Sequence, residues 1–110
     1  MMKFETYKGN NNEFYFRLMD STNKILLSSE GYKQKENLMT GIEAVKKNLP
    51  ILSSVEKKIA QNGKYFFNVK STNGQVVGTS SMFDSPDLRD KWLGEIQKEA
   101  SQLKVVDALQ

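Results

Sequence analysis

The feature that most constrains this chain is that it is written twice, with the second copy 51 residues after the first. Shifting the sequence by that interval places Glu13-Phe14-Tyr15-Phe16-Arg17-Leu18 over Lys64-Tyr65-Phe66-Phe67-Asn68-Val69. The register then holds without a gap. Asn23 falls on Gly74, Ile25 and Leu26 on Val76 and Val77, Ser28-Ser29 on Thr79-Ser80, and Tyr32 on Phe83. Farther on, Ile42 meets Leu93, Val45 meets Ile96 and Lys47 meets Lys98. Few positions are identical, so the repeat is one of residue class, kept over about 35 positions.

Within each copy the hydrophobic period changes in the same order. Phe14, Phe16 and Leu18 alternate with Tyr15, Arg17 and Met19, as Tyr65, Phe67 and Val69 alternate with Phe66, Asn68 and Lys70. A period of two is that of a strand with one buried face. Ser21-Thr22-Asn23-Lys24 and Ser71-Thr72-Asn73-Gly74 supply turn residues, so a hairpin leads to second strands near 24–30 and 75–81. Shorter strands precede the hairpins at 3–8 and 54–60, with turns at 9–12 and 61–63, giving three strands per copy.

The period then becomes helical. Leu38, Ile42, Val45 and Leu49 form one stripe that Pro50 ends. In the second copy Ser85-Pro86-Asp87 is a helix start, combining a capping hydroxyl, a proline at the first turn and an acid at the positive end of the dipole. Leu88, Trp92, Ile96, Ala100 and Leu103 are expected to continue the stripe. Three strands are too few to cover a helix alone. The expectation is therefore a single α+β domain over 1–110, a tandem duplication of a ββ-β-α unit with repeats near 1–50 and 52–107. Its antiparallel sheet would carry one helix per repeat on one face, with pseudo-twofold symmetry and a shared core.

Composition narrows function mostly by exclusion. With neither cysteine nor histidine, the chain has no disulfides, no ordinary zinc ligand set and no imidazole base. No cofactor, metal site or catalytic residue is assigned, and a non-enzymatic role is expected. The net charge of +3 is spread evenly, with eight basic and six acidic residues in the first 50 positions and eight and seven in the remainder. Dedicated nucleic-acid binders usually gather their cations on one segment or face. No apolar run approaches a membrane span and the first residues alternate in polarity, so a cytoplasmic protein without membrane contact is expected.

Phe14-Tyr15-Phe16-Arg17-Leu18, Ile25-Leu26-Leu27-Ser28-Ser29-Glu30-Gly31-Tyr32 and Gly41-Ile42-Glu43-Ala44-Val45-Lys46-Lys47-Asn48 together resemble the repeat unit of the YegP-like family of small bacterial proteins. The second copy departs from that pattern, with Met82 in place of Gly31 and Trp92 in place of Gly41, while Val105-Val106-Asp107 is similar to the family's ends. The resemblance implies a tandem ββ-β-α fold. It implies no activity, so no functional residues are carried over.

Two groups of residues remain as candidates. The first is Ser28, Ser29, Glu30 and Tyr32 with Thr79, Ser80 and Ser81, where a strand hands over to a helix. Hydroxyls beside a helix start suit an anion or peptide, but they serve equally to satisfy exposed backbone groups, which is the preferred reading. The second is the sheet face away from the helices, bearing Tyr15, Arg17, Met19, Phe66, Asn68 and Lys70. Aromatics beside cations on an open sheet fit a protein partner or self-association in a homodimer. The alternative is single-stranded nucleic acid. Asp84, Asp87 and Asp90 lie in the first turns of the second helix, where the dipole favours acids without any metal. Trp92 is read as core.

Overall fold

The structure is a computed structural model and describes residues 2–99 and 102–107. Its strands are β1 (Lys3–Lys8), β2 (Phe14–Met19), β3 (Ile25–Ser28), β4 (Val55–Ile59), β5 (Tyr65–Lys70), β6 (Val76–Ser80) and β7 (Lys104–Asp107). Helix α1 (Lys35–Asn48) follows β3 and α2 (Pro86–Glu99) follows β6. The strands form one sheet in the order β4-β5-β6-β3-β2-β1-β7.

The duplication is visible in the register. Ser28 pairs with Thr79, its own counterpart 51 residues away, so the pseudo-twofold axis passes through that pair at the β3–β6 seam. Each half carries the same irregularity at the same place, between Leu18 and Met19 and between Val69 and Lys70. The extra residue opposite each step, Leu26 or Val77, is turned into the core, which interrupts strict alternation. Turns repeat as well. Asn12 and Asn23 adopt φ of 64° and 65°, and their counterparts Gly63 and Gly74 adopt 83° and 84°.

The sheet is antiparallel apart from one pair, β1 with β7, which is parallel. The expectation of three strands per copy omitted β7. Helix α1 carries the chain from the central β3 to β4 beside β5, at the far edge of the other half. Helix α2 repeats that crossing, but β1 already occupies the matching place beside β2. The chain therefore arrives running in the direction of β1 and adds outside it.

Both helices share one face. Leu38, Ile42, Val45 and Leu49 are fully buried with Phe4, Phe16, Leu18, Phe67 and Val69 in one cluster, and α1 lies against β5 and β6 as well as β2. Helix α2 corrects the expected stripe. Its buried residues are Arg89, Leu93 and Ile96, the counterparts of Leu38, Ile42 and Val45, while Leu88 and Trp92 are only half-buried. The repeat register, and not the local apolar pattern, sets the orientation. Arg89 tolerates the site by placing its guanidinium 5.6 Å from the Tyr65 ring centroid and donating from Nε to Asp90 Oδ1 at 3.1 Å. Trp92 packs at the core margin beneath Lys24, whose Nζ lies 5.4 Å from its centroid. Leu103 is buried beyond the helix, and Ala100 lies outside the described residues.

The helix starts differ between copies. Ser85 Oγ accepts from the Leu88 N–H at 3.1 Å, whereas Gln34 at the start of α1 makes no side-chain cap. Ser85→Ala is expected to cost about 1 kcal/mol and Gln34→Asp to add a comparable amount, as read by urea denaturation. In the same assay Gly74→Ala is expected to cost about 1–2 kcal/mol, because a Cβ is strained at positive φ. Gly74→Asn costs less, since Asn23 already adopts that conformation in the first copy.

Candidate functional site

One row of side chains crosses all seven strands on the face away from the helices. Register places Val106, Glu5, Arg17, Ser28, Thr79, Asn68 and Glu56 side by side, one from each strand. Phe4, Phe16, Val69 and Gly78 occupy the alternating positions toward the core, which fixes the row on the opposite side. Apart from Val106 the row is polar, and it is internally bonded. Arg17 donates from Nε (2.9 Å) and Nη2 to Glu5 Oε1, and Thr79 Oγ1 donates to Asn68 Oδ1 at 2.9 Å. Lys70 Nζ donates to Glu56 Oε2 at 3.1 Å.

Above this row lies an aromatic stack. Tyr7 and Tyr15 face each other across β1 and β2 with centroids 5.4 Å apart and planes at 15°, and the Arg17 guanidinium lies 4.7 Å from the Tyr7 centroid. Asn11 Nδ2 donates to Tyr15 Oη at 2.8 Å, so the hairpin turn holds the ring from its far end. In the second half Phe66 takes the place of Tyr15 and Lys58, on β4, that of Tyr7. The face therefore has an aromatic, Arg-capped end and a lysine-rich end. Its charges are Lys3, Arg17, Lys58, Lys70 and Lys104 against Glu5 and Glu56.

The structure brings Tyr15, Arg17, Phe66, Asn68 and Lys70 together on this face, each half-buried. Met19 departs from the expectation. It is buried at 6% exposure, flanked on neighbouring strands by Lys3 and Ile25. Sequence reasoning omitted Glu5, Tyr7 and Glu56, although the alternation of Phe4 and Thr6 with Glu5 and Tyr7 carried the signal.

The strand-to-helix residues divide by face. Ser28 and Thr79 belong to the open row at the pseudo-axis. Ser29 Oγ accepts from the Phe16 N–H and donates to the Glu30 carbonyl, both at 2.9 Å. Ser80 Oγ makes the equivalent pair with the Phe67 N–H and the Ser81 carbonyl. These two hydroxyls bridge backbone groups where the ladder ends. Glu30 is exposed, and Ser81 uses its backbone N–H to bond the Leu26 carbonyl. Tyr32 pairs its backbone with Phe14 and lays its hydroxyl beside Gly41, where burial first and the Glu30 charge second push its pKa up. Asp84 and Asp90 pair with Lys64 and Lys57 at 3.2 and 3.1 Å, and no cluster of three or more metal-ligating side chains forms among the described residues.

The fold and this face define a duplicated α+β protein with one sheet surface covered by helices and one left uncovered. Comparison with known proteins agrees. The family model DUF1508, described as a domain of unknown function, matches twice, over residues 10–56 and 60–107, and the chain belongs to that family. Each match begins before a central hairpin, so β1 lies outside both. The chain is 41% identical to the UPF0339 protein in the ptx operon 5' region of Stutzerimonas stutzeri, and 34% identical to the UPF0339 protein YegP of Escherichia coli K12. Each alignment spans 104 residues and 94% of both chains. The solution structure of a UPF0339 protein from Shewanella oneidensis superposes with a TM-score of 0.91 at 33% identity, covering 98% of this chain and 92% of that one. That of yegP from E. coli gives 0.91 at 32%, covering 98% and 93%. The resemblance to the YegP-like family, and the tandem α+β fold it implied, therefore hold.

Glu56 provides a titration test of the row. The hydrogen bond from Lys70, then its charge, lower the carboxyl's pKa, and Lys58 and Asn68 assist. A carboxylate lowered on folding contributes stability above its unfolded pKa, and that contribution is lost as pH falls through the folded value. Lys70→Met is expected to raise the Glu56 pKa toward the ordinary 4.5, followed by NMR of the side-chain carboxyl. An unchanged titration would mean that Lys70 does not hold Glu56 in solution.

Proposed function

We propose that this chain is a non-catalytic protein-interaction module, acting in the cytoplasm, whose working surface is the uncovered face of the sheet. The observation that carries this reading is the Tyr7–Tyr15 stack with Arg17 laid on Tyr7 and bonded to Glu5. Tyr and Arg are enriched at the centres of protein interfaces. Side chains already fixed by their neighbours lose little freedom when a partner docks. The excess of lysine over glutamate around the row favours a partner, or a patch on a second copy, with acidic character.

Nucleic acid fits the same face less well. Bases stack on rings whose faces are free, but here the two tyrosines cover one another and Arg17 covers Tyr7. Arg17 and Lys70 are also both engaged by carboxylates, which reduces their pull on phosphate.

The test is photo-crosslinking from the face. With a benzophenone amino acid in place of Phe66, adducts to a discrete protein or to a second copy are expected, unchanged by nuclease. Light scattering over a range of concentrations separates the two. Tyr7→Ala combined with Arg17→Ala is expected to abolish the adduct while the folded NMR spectrum persists. An adduct lost on nuclease treatment would support the nucleic-acid reading, and an adduct indifferent to the double variant would remove the face as the working surface.

A further inference from the structure

The two halves of the sheet end differently. On one side β7 covers the outer edge of β1, running parallel to it with Val105 beside Phe4 and Asp107 beside Thr6. On the other, β4 is the last strand and its outer edge is bare. Phe4 and Thr6 are fully buried, whereas their counterparts 51 positions on, Val55 and Lys57, are half-buried and exposed. Every open sheet has outer strands, so a free edge alone marks no site. At β4 the main chain and the side chains add to it.

The Ala60 N–H donates to the Lys64 carbonyl at 2.8 Å, and antiparallel alternation from that bond turns Lys58 and Glu56 toward β5. Lys57 and Ile59 therefore aim their N–H and C=O groups outward, where no strand receives them. The Val55 carbonyl points the same way, while its N–H is held by the Leu52 carbonyl. The same alternation, counted from the Gly9 N–H on the Glu13 carbonyl, turns Phe4 and Thr6 toward β7. The bare edge thus offers the groups that its twin uses to hold a parallel strand.

The side chains indicate what such a strand would carry. Leu52 and Ile59, at the two ends of β4, are the most exposed large aliphatic side chains among the described residues, at 77% and 66%. Val55, Lys57 and Ile59 lie opposite Val69, Phe67 and Tyr65, on the helix side of the sheet. Lys57 Nζ donates once to Asp90 Oδ1, at 3.1 Å, and has two further donors. A second copy of β4 does not suit this edge. Twofold antiparallel pairing along most of the strand would centre on Glu56, Lys57 or Lys58, each of which would then face its own charge.

We propose that the outer edge of β4 binds an extended segment of a partner protein, added parallel to β4 as β7 is to β1. The segment has an apolar residue beside Val55, an acid beside Lys57 and an apolar residue beside Ile59. At the first two of these places β7 has Val105 and Asp107. Main-chain bonds supply the affinity and alternate side chains the selection. This edge is separate from the uncovered face, and either reading stands without the other.

The test is NMR titration of the intact chain with an acetylated peptide of the sequence of residues 104–110, in which Val105, Asp107 and Leu109 supply the apolar, acidic and apolar positions. Saturable shifts are expected at the Lys57 and Ile59 backbone amides. A spin label on the peptide's amino end is expected to broaden Val55 more than Ile59, the mark of a parallel strand. Lysine in place of the peptide's aspartate is expected to weaken binding about threefold or more, and Lys57→Glu in the protein to reverse that preference. Ile59→Pro removes an outward N–H and leaves the β5 ladder bonded, so a loss of about tenfold in affinity is expected while the β5 amides keep their shifts. No saturable shift at about 5 mM peptide would overturn the proposal. So would shifts confined to β1 and β7, stronger broadening of Ile59 than of Val55, or binding unchanged by both protein substitutions. Lys57 and Ile59 amides that shift with the concentration of the protein alone would give the edge to a second copy and overturn it as well.

Discussion

The structure depends on a short seam. The β3–β6 ladder pairs just Leu27 with Ser80 and Ser28 with Thr79, extended by the Ser81 N–H on the Leu26 carbonyl, yet the core on the helix side is shared across it. An axis through a pairing brings a residue close to its own counterpart, and two large side chains there would collide. Leu27 and Gly78 are counterparts, and a Cβ on Gly78 would lie 3.1 Å from Leu27 Cδ2. Duplication within one chain removes the requirement that both copies be identical, so one contributes the leucine and the other the space for it.

The helices make the seam cooperative. Because α1 rests on β5 and β6 as well as on β2, neither half encloses its own apolar stripe. Gln97 Nε2 donates to the Leu49 carbonyl at 2.8 Å, and Asn48 bonds the Lys70 carbonyl, so polar contacts also cross between copies. Separating the halves would expose Phe16, Phe67, Ile42 and Ile96 together. One folding unit is the physical consequence, although the sequence reads as two.

Where the copies differ, the consequences are local and chemical. Leu38 became Arg89, held by a ring and a carboxylate. Gly41, whose missing side chain makes room for Tyr32, became Trp92 beneath a lysine. Glu5 and Glu56 are kept at matching positions, but their cations differ: Arg17 sits directly opposite Glu5, whereas Lys70 reaches Glu56 from two residues along its strand. The uncovered face is thus rigid and aromatic at one end and basic at the other.

The sequence by itself determined the repeat, the hairpins, both helices and the uncovered face, because each is written as a period of residue class readable within a few neighbouring positions. The stripe of α1 was legible for that reason, and so were Tyr15, Arg17, Phe66, Asn68 and Lys70. Only the tertiary structure decided the rest. The side of α2 that is buried follows from the symmetry of the shared core, which outweighed the local pattern of Leu88 and Trp92. The parallel position of β7 follows from β1 having taken the place beside β2, a competition between strands about a hundred residues apart. Met19 is buried by strands that meet it only after folding, and nothing near Asn48 in the chain marks its side-chain oxygen as one that folding buries without a donor among the described residues. Short-range periodicity encodes elements and faces; crowding and the pairing of buried polar atoms are settled when distant segments meet.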